Sequence, residues 1–490
     1  MLQKMRQRFE QQLTLGQIPI ADVEITIKCR DAVVELLAAL KQIFITPEFN
    51  GKIFSVLESV LLSGKKRTGR TGMDLWHIFV LAQVRLCLNI SYNRLHHLAN
   101  NDKLLRSIMG VEKEFGYDQI EFEYQNIYDN VSLLDDETIH QLNDIVLSFG
   151  HQVFKKKEGA ALRLKSDSFV VESNVHFPTD YNLLWDCARK SIDVIEKFNK
   201  KHVQLKGWRK INNWRYEIKG LMRELGKANS SGGRNKDERV KTAATKYLNK
   251  ANALINKLEK EMSALPVTDE TDLLLICSLE SFIDLTKKHI DLLHRRVIKG
   301  EQIPHDEKMF SIFENYTEWI TKGKLSPNVE LGKKLAITTD QFNLIVDYQV
   351  MDEEQDRDVV IALADRLLKK WSINSWSFDK GFWNKENKDL LQTEIPHVII
   401  PKLGKRNQWE KDQEQAPLFK RLKNKHSAIE SNINELENRG LDRCPNRGYR
   451  HFKNYIGLGV CAYNLKKIGK ALLDEKREAI KALQCCRKAA

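Results

Sequence analysis

The chain has 490 residues, of which 42% are hydrophobic and 30% are charged, so it is not a disordered protein and should form sizeable cores under long solvated helices. Its formal net charge of +13 favours a polyanionic partner but does not distinguish DNA from RNA or an anionic membrane. No apolar run approaches the ~18 residues of a membrane span, and the N-terminus lacks the apolar stretch of a signal peptide. Because the eight cysteines form no CxxC pair, we expect a cytoplasmic protein with free thiols.

The first 155 residues show helical patterns separated by short breaks. Asp31 and Ser91 each precede such a pattern and are predicted to cap a helix. Between them, residues 63–72 contain three glycines and predict an exposed basic loop. The basic side chains of this loop are Lys65, Lys66, Arg67 and Arg70. Short helices behind a basic loop are typical of a DNA-binding module, although a plain helical bundle explains them equally well.

A change in composition near residue 160 predicts the first strand. The segment ALRLKSDSFVVE is rich in Val, Leu, Phe and Ser, and it contains Asp167. Pro178 ends the strand, and a helix follows for which Asp180 is the predicted cap. Asn174 and Thr179 are expected to organise the intervening turn.

Residues 191–330 have long charged helical patterns and predict a large helical insertion. At its start, Trp208 and Trp214 are each followed by an arginine, Arg209 and Arg215. Aromatic and guanidinium groups together suit base stacking or phosphate contacts. They suit core packing with surface cations at least as well, so the sequence leaves both interpretations open.

Strand patterns return at 334–351, at INSWSF and at HVIIP, with helical patterns between them, which indicates an α/β sheet domain. Asp379 follows INSWSF directly, and Glu430 lies in a helical pattern. The predicted organisation is a helical N-terminal DNA-binding and dimerisation domain (1–155), a catalytic core in two parts (156–190 and 331–440), the helical insertion (191–330) and a C-terminal helical tail (441–490).

Asp167, Asp379 and Glu430 stand where an open sheet places an active site. Three converging carboxylates repel one another, and a divalent cation removes that penalty. Mg²⁺ prefers hard oxygen ligands, and two such ions can clamp the attacking and leaving oxygens of a phosphodiester. The acids alone are weak evidence, because the chain has 66 of them.

Several blocks in a fixed order make the case more specific. They are SDSFVVESNVHFPTDYNLLWD, IVDYQVMDEEQDRDV, FDKGFWNKENKDLL and AIESNINELENRGLDRCPNRGYRHFKNYIGLGVCAYNL, which ends in Asn464 and Leu465. These blocks resemble the first-aspartate, conserved-strand, second-aspartate and glutamate blocks of the DDE transposases of bacterial insertion sequences. The N-terminal helical segment is also similar to a domain common in these enzymes.

The resemblance implies an RNase H-like α/β core, a mixed sheet flanked by helices, that catalyses DNA cleavage and strand transfer. Asp167, Asp379 and Glu430 correspond to its metal-binding triad, which would hold two Mg²⁺ ions, with Mn²⁺ as a substitute. The implied partners are the terminal inverted repeats of the element and target DNA, held by a homodimer that pairs two ends. Such an enzyme is expected to associate with the nucleoid.

The sequence departs from the family around the glutamate. Related enzymes often have an arginine four residues before it and a lysine seven after it, where this chain has His426 and Glu437. His426 could contact a phosphate, position the nucleophile or be a plain surface residue, and Asp347 is interpreted as structural. The cations proposed to grip DNA instead are Lys380, Lys423, Lys425, Arg439 and Arg443.

Three alternatives to an active transposase stay open. A binding-only relative would have lost catalysis, although the intact triad argues against that. A nuclease of the same fold would cleave DNA without strand transfer. A helical scaffold protein would bind no nucleic acid, against which the net charge and the strand blocks count.

Overall fold

The computed structural model describes residues 4–5, 8–9, 11, 16–61, 70–113, 120–202, 208–321 and 328–489. The strands are β1 (Lys4–Met5), β2 (Arg70–Thr71), β3 (Leu162–Glu172), β4 (Glu318–Thr321), β5 (Val329–Thr339), β6 (Ile345–Val350), β7 (Ile373–Phe378) and β8 (His397–Ile399). The helices are α1 (Ala32–Ile45), α2 (Pro47–Leu61), α3 (Leu75–Cys87), α4 (Tyr92–Asn101), α5 (Lys103–Met109), α6 (Tyr124–Val131), α7 (Asp136–Val153), α8 (Asp180–Lys201), α9 (Ile211–Ser230), α10 (Lys236–Met262), α11 (Glu270–Leu293), α12 (Val360–Lys370), α13 (Lys385–Glu394), α14 (Gln408–Gln415), α15 (Pro417–His426), α16 (Ala428–Leu436) and α17 (Tyr449–Ala489). None of the described helices is long and apolar enough to cross a membrane.

The chain forms two compact units. The first consists of Met1–Asn174 with Ile320–Ala490, and the second of Val175–Trp319. The second unit therefore interrupts the first in sequence, after strand β3. The division into five segments expected from the sequence is finer than this and stays a prediction.

Strand β3 lies in the middle of a mixed sheet in the first unit. It pairs antiparallel with β5 on one side and parallel with β7 on the other, and β7 pairs parallel with β8. Strand β6 pairs antiparallel with β5, so the predicted strand region 334–351 is a hairpin. The predicted strand INSWSF is β7, and Asp379 follows its last residue as expected. A mixed sheet flanked by helices is thus confirmed.

Asp340 fixes the turn between β5 and β6. Its Oδ1 accepts hydrogen bonds from the backbone N–H groups of Phe342 (2.8 Å) and Leu344 (3.0 Å). Its Oδ2 lies 2.8 Å from Nε2 of His151 on α7, and both side chains are buried. This turn therefore ties the hairpin to a helix of the N-terminal part of the chain.

Asn464 on α17 makes a second connection between the helices and the hairpin. Its Oδ1 accepts from the backbone N–H of Ile345 at 2.8 Å, and its Nδ2 donates to the Ile345 carbonyl and to Oδ1 of Asn143, both at 2.9 Å. The asparagine is fully buried with its amide satisfied. The Asn-Leu pair that closes the glutamate block thus anchors β6.

The N-terminal helices begin where the sequence predicts. Oδ1 of Asp31 accepts from the Val33 N–H at the start of α1, and Oγ of Ser91 accepts from the Arg94 N–H at the start of α4. Helix α1 packs against α17, and every residue of α3 is buried. The seven cysteines with described side chains are free, as expected.

The second unit has its own helical core, formed by apolar faces of α8 to α11. Trp208 is 1% exposed within this core, and Trp214 packs against it. Arg215 forms ion pairs with Asp193 (2.8 Å) and Glu196 (2.7 Å). Core packing, rather than base stacking, therefore accounts for these tryptophans.

The cap predicted for α8 was wrong by one residue. The Thr179 hydroxyl, not Asp180, accepts the hydrogen bond of the first turn, from the Asn182 N–H at 3.3 Å. Asp180 is the first helical residue, and its carboxylate pairs with Arg296 at 2.7 Å. The acid still lies in the first turn, where the helix dipole favours it.

Candidate active site

Asp167 lies on β3, and Asp379 is the first residue after the neighbouring parallel strand β7. Ser166 on β3 is opposite Phe378, the last residue of β7, so each of the two acids directly follows one of these paired residues. Strands in this arrangement are ~4.8 Å apart, and residues in register point to the same face. The sheet therefore brings together two acids that are far apart in sequence.

The electrostatic surroundings of Asp167 show which other acids are close. Burial, together with the negative charges of Asp379, Asp356 and Glu430, raises the pKa of this carboxyl to about 7. The hydrogen bond from the Ser168 N–H, at 2.7 Å, opposes that rise. The predicted triad is thus gathered around one half-buried aspartate, and we call these four residues the acidic cluster.

Asp356 is the member of this cluster that the sequence analysis missed. It lies between β6 and α12, and its Oδ1 accepts a hydrogen bond from the Ser168 hydroxyl at 2.7 Å. Lys334 on β5 pairs with the same oxygen at 3.4 Å. Its position in the block MDEEQDRD was the only available signal, and several neighbouring acids there made the choice among them arbitrary.

Gly381 is the glycine two residues after Asp379 in the second-aspartate block FDKGFWNKENKDLL. A Cβ atom at this position would lie 2.8 Å from Oδ2 of Asp356. The residue after Lys380 must therefore be small for the turn that follows Asp379 to pass the second carboxylate. This contact joins the turn after β7 to the turn after β6.

Glu430 and His426 lie on either side of a helix break. His426 ends α15, and Glu430 lies in the first turn of α16, so the two residues belong to separate helices with Ser427 between them. Nδ1 of His426 is 3.1 Å from the Ser377 hydroxyl on β7. Burial lowers the pKa of His426 to about 4, against the attraction of Asp379, so the ring is neutral at pH 7. The ring is half-buried, with Nε2 inaccessible to solvent, which argues against the alternative of a plain surface histidine.

The predicted DNA-binding cations occupy different environments. Lys380 is exposed beside Asp379, and Lys425 is close enough to Lys165 to lower the pKa of that amine, which burial also lowers. Lys423 is exposed on α15, and the backbone of Arg443 bridges Glu172 at the end of β3. Arg439 instead donates to the Cys87 carbonyl (2.7 Å) and pairs with Glu435 (3.6 Å). Lys65, Lys66 and Arg67 lie outside the described residues, and of Arg70 only the backbone, in β2, is described.

Lys165 is a cation that sequence reasoning did not single out. It is two residues before Asp167 on β3, hence on the same face of the sheet. Its ammonium donates to Oδ1 of Asn343 at 3.1 Å. Asp347, in contrast, pairs with Arg366 at 2.8 Å, and this ion pair agrees with its structural interpretation.

The donor chemistry of the acidic cluster suits a hard divalent cation, because it consists of carboxylate oxygens whose mutual repulsion a cation would remove. As the side chains stand, no three Asp, Glu, His or Cys residues in the described part of the chain converge closely enough to hold a metal ion. Asp379 and Glu430 are exposed, so their carboxylates can change rotamer. Asp167, Asp379 and Glu430 are therefore the residues that would hold such an ion.

The acidic cluster thus combines Asp167, in the middle of the central strand β3, with Asp379, which follows the C-terminal end of the parallel strand β7, where open α/β sheets commonly place active sites. Residues 300–465 match the family model of the transposase DDE domain. This match confirms the resemblance to the DDE transposases over these residues. The match includes Asp356, Asp379 and Glu430 and begins after Asp167. No curated protein and no solved structure matches the chain.

Proposed function

We propose that the protein is a DNA transposase that cleaves the terminal inverted repeats of its own element and joins the released 3′-hydroxyl to target DNA. The observation that carries this proposal is the gathering of Asp379, Asp356 and Glu430 around Asp167, whose pKa is about 7. The transposase DDE domain at residues 300–465 supports the class of reaction. The mixed sheet, with its central first strand, is compatible with an RNase H-like core.

In this proposal Asp167, Asp379 and Glu430 hold two Mg²⁺ ions, for which Mn²⁺ can substitute. A bound divalent ion polarises a phosphodiester and lowers the pKa of the attacking water or 3′-hydroxyl. Asp356, held by Ser168 and Lys334, adds negative charge beside the triad and orients Asp167 through their shared neighbour. His426 is neutral and bonded to Ser377, so it acts by position rather than by charge.

The remaining cations serve substrate binding in the proposal. Lys380 directly follows Asp379, Lys425 is close to Lys165, and the net charge of +13 favours DNA as the polyanion. Pairing of two element ends calls for two catalytic sites, which a homodimer supplies. The same reasoning makes the nucleoid the expected location.

The test compares the parent with Asp379→Asn on a labelled duplex that contains the element's own end, with Mg²⁺ or Mn²⁺. We expect cleavage to fall roughly a thousandfold in the variant while DNA binding stays, because ion binding contributes several kcal/mol to the transition state. Asp389→Asn is the matched control, since it removes the same charge from an exposed position on α13. The control should cleave within about twofold of the parent.

The outcomes separate the alternatives. If the parent and both variants bind DNA and none cleaves it, the protein is a binding-only relative. If Asp379→Asn cleaves as well as the parent, the assignment of the triad is wrong. Cleavage without joining of the 3′ end to target DNA would identify a nuclease of the same fold.

A further inference from the structure

Arg85 on α3 is a buried cation without an acidic partner. Its side chain is 5% exposed, and no carboxylate in the described part of the chain forms an ion pair with it. Nη2 donates to Oδ1 of Asn446 at 3.1 Å, whereas Nε is buried with no hydrogen-bond partner. Burying a charge is costly unless it is paired, so this guanidinium calls for an anion.

Two tyrosine rings hold the guanidinium in place. Its carbon lies 4.2 Å from the ring centroid of Tyr92 and 5.5 Å from that of Tyr455. Both are cation–π contacts, which stabilise the position of the cation but do not neutralise its charge. The guanidinium is therefore held in place for a ligand and is not already paired with a carboxylate in the part of the chain that the structure describes.

Arg85 lines a cavity of about 600 Å³ that we call the arginine pocket. The N-terminus of α4 opens into it, through Tyr92 and Asn93 of the first turn. The first amides of a helix lack intrahelical partners and attract anions, and Ser91 satisfies only the Arg94 N–H. Arg447 and His451 also line the pocket, and none of the described lining residues is Asp or Glu.

We propose that the arginine pocket binds a phosphate group of the DNA backbone. A tetrahedral oxyanion would pair with the guanidinium of Arg85, which lines the cavity, and would accept from the first-turn amides of α4; these are the two kinds of donor that recognise phosphate. Exposed Tyr124 and Tyr128 form an aromatic wall of the same cavity. The anion site is inferred from these contacts alone. The identification of DNA as the molecule that carries the phosphate rests on the proposed function.

The pocket is also linked to the catalytic sheet. The loop that supplies Asn446 and Arg447 pairs with the end of β3, where the Cys444 N–H donates to the Glu172 carbonyl at 2.8 Å. Nδ2 of Asn174 donates to the Pro445 carbonyl at 3.0 Å. A phosphate held in the pocket is therefore bound by the same loop that fixes the end of the Asp167 strand.

The experiment measures duplex DNA affinity over a series of salt concentrations for the full chain and two variants. Arg447→Gln removes a cation of the pocket, and Arg450→Gln removes an exposed cation three residues later that does not line it. We expect Arg447→Gln to weaken binding roughly three- to tenfold and to reduce the slope of log K against log salt by about one, as for one lost phosphate contact. Arg450→Gln should leave the slope closer to that of the parent.

Inorganic phosphate gives a second readout, against chloride at equal ionic strength. We expect it to raise the thermal midpoint of the parent but not that of Arg85→Met, because only the parent has the site. If phosphate stabilises the parent while Arg447→Gln and Arg450→Gln bind DNA alike, the source is a free phosphate, and the DNA assignment is overturned. If the two variants bind DNA alike and phosphate does not raise the thermal midpoint of the parent, the proposed anion site is wrong. If the parent binds no DNA at all, the proposed function is contradicted. The effect of phosphate on the thermal midpoint then tests the anion site by itself.

Discussion

The acidic cluster and the arginine pocket both concentrate charge of one sign, but they are built differently. The cluster collects four carboxylates from separate segments, two of which, Asp379 and Glu430, are exposed. The pocket has one buried guanidinium fixed between two aromatic rings. Several movable acids suit a metal ion that needs converging oxygen ligands, whereas one rigid cation beside helix amides suits a phosphate.

The largest expected effect tests whether Arg85 differs from an ordinary buried arginine. Arg106 on α5 is equally buried, but it pairs with Glu112 at 2.7 Å and donates to the carbonyls of Ala99 and Ile120. We expect Arg106→Met to lower the free energy of unfolding by about 4 kcal/mol, because it leaves the Glu112 carboxylate and the two carbonyls without a donor. Arg85→Met should change it by less than about 1 kcal/mol, since no carboxylate loses its partner. Urea denaturation measures both, and equal losses would mean that Arg85 is a satisfied structural residue.

The second prediction concerns how much folding stability the acidic cluster costs when Asp167 is ionised. The pKa of Asp167 is about 7 in the folded protein and 3.8 by its ordinary value, so between these pH values the folded state holds more protons than the unfolded state. Stability of the parent therefore falls as pH rises from 4 to 7. Asp167→Asn removes this dependence and should stabilise the protein by on the order of 3 kcal/mol at pH 8 without divalent ions.

The matching readout is the response to Mg²⁺. Addition of Mg²⁺ should raise the unfolding midpoint of the parent, because the ion binds the folded state, and it should not affect Asp167→Asn. Well below pH 3.8 the two proteins should be equally stable, since Asp167 is then protonated in both states of the parent. If Asp167→Asn has the same stability as the parent at pH 8 and the same shift of the unfolding midpoint with Mg²⁺, Asp167 is not part of the acidic cluster.

The smallest effect tests the contact between the two turns of the cluster. Gly381→Ala places a methyl group 2.8 Å from Oδ2 of Asp356, and we expect it to cost about 1 kcal/mol and to weaken Mg²⁺-dependent cleavage roughly tenfold by displacing that carboxylate. Gly51→Ala on α2 is the control, because its Cβ meets nothing within 4 Å and should stabilise the helix by about 0.5–1 kcal/mol. If Gly381→Ala cleaves DNA like the parent, Asp356 does not support the reaction.

Local sequence patterns predicted the helices and strands well where the role of a residue depends only on its sequence neighbours. Asp31 and Ser91 cap their helices because a side-chain oxygen can satisfy a first-turn amide without any tertiary contact. The error at Asp180 arose because Thr179 is equally able to cap; in the structure Thr179 caps the helix and Asp180 pairs with Arg296. Strand INSWSF and the acid after it were likewise readable from β-branched and aromatic residues beside a turn.

The sequence by itself determined the elements, the excess of positive charge and the order of blocks that resembles the DDE transposases, because each of these depends on neighbouring residues. Only the tertiary structure decided that Asp356 lies close to Asp167, that His426 is half-buried and neutral, and that Arg85 has no acidic partner among the described residues. These properties depend on which side chains meet across a sheet or between helices. Burial and the distance between charges set pKa values and pairing, and neither quantity can be read from local sequence.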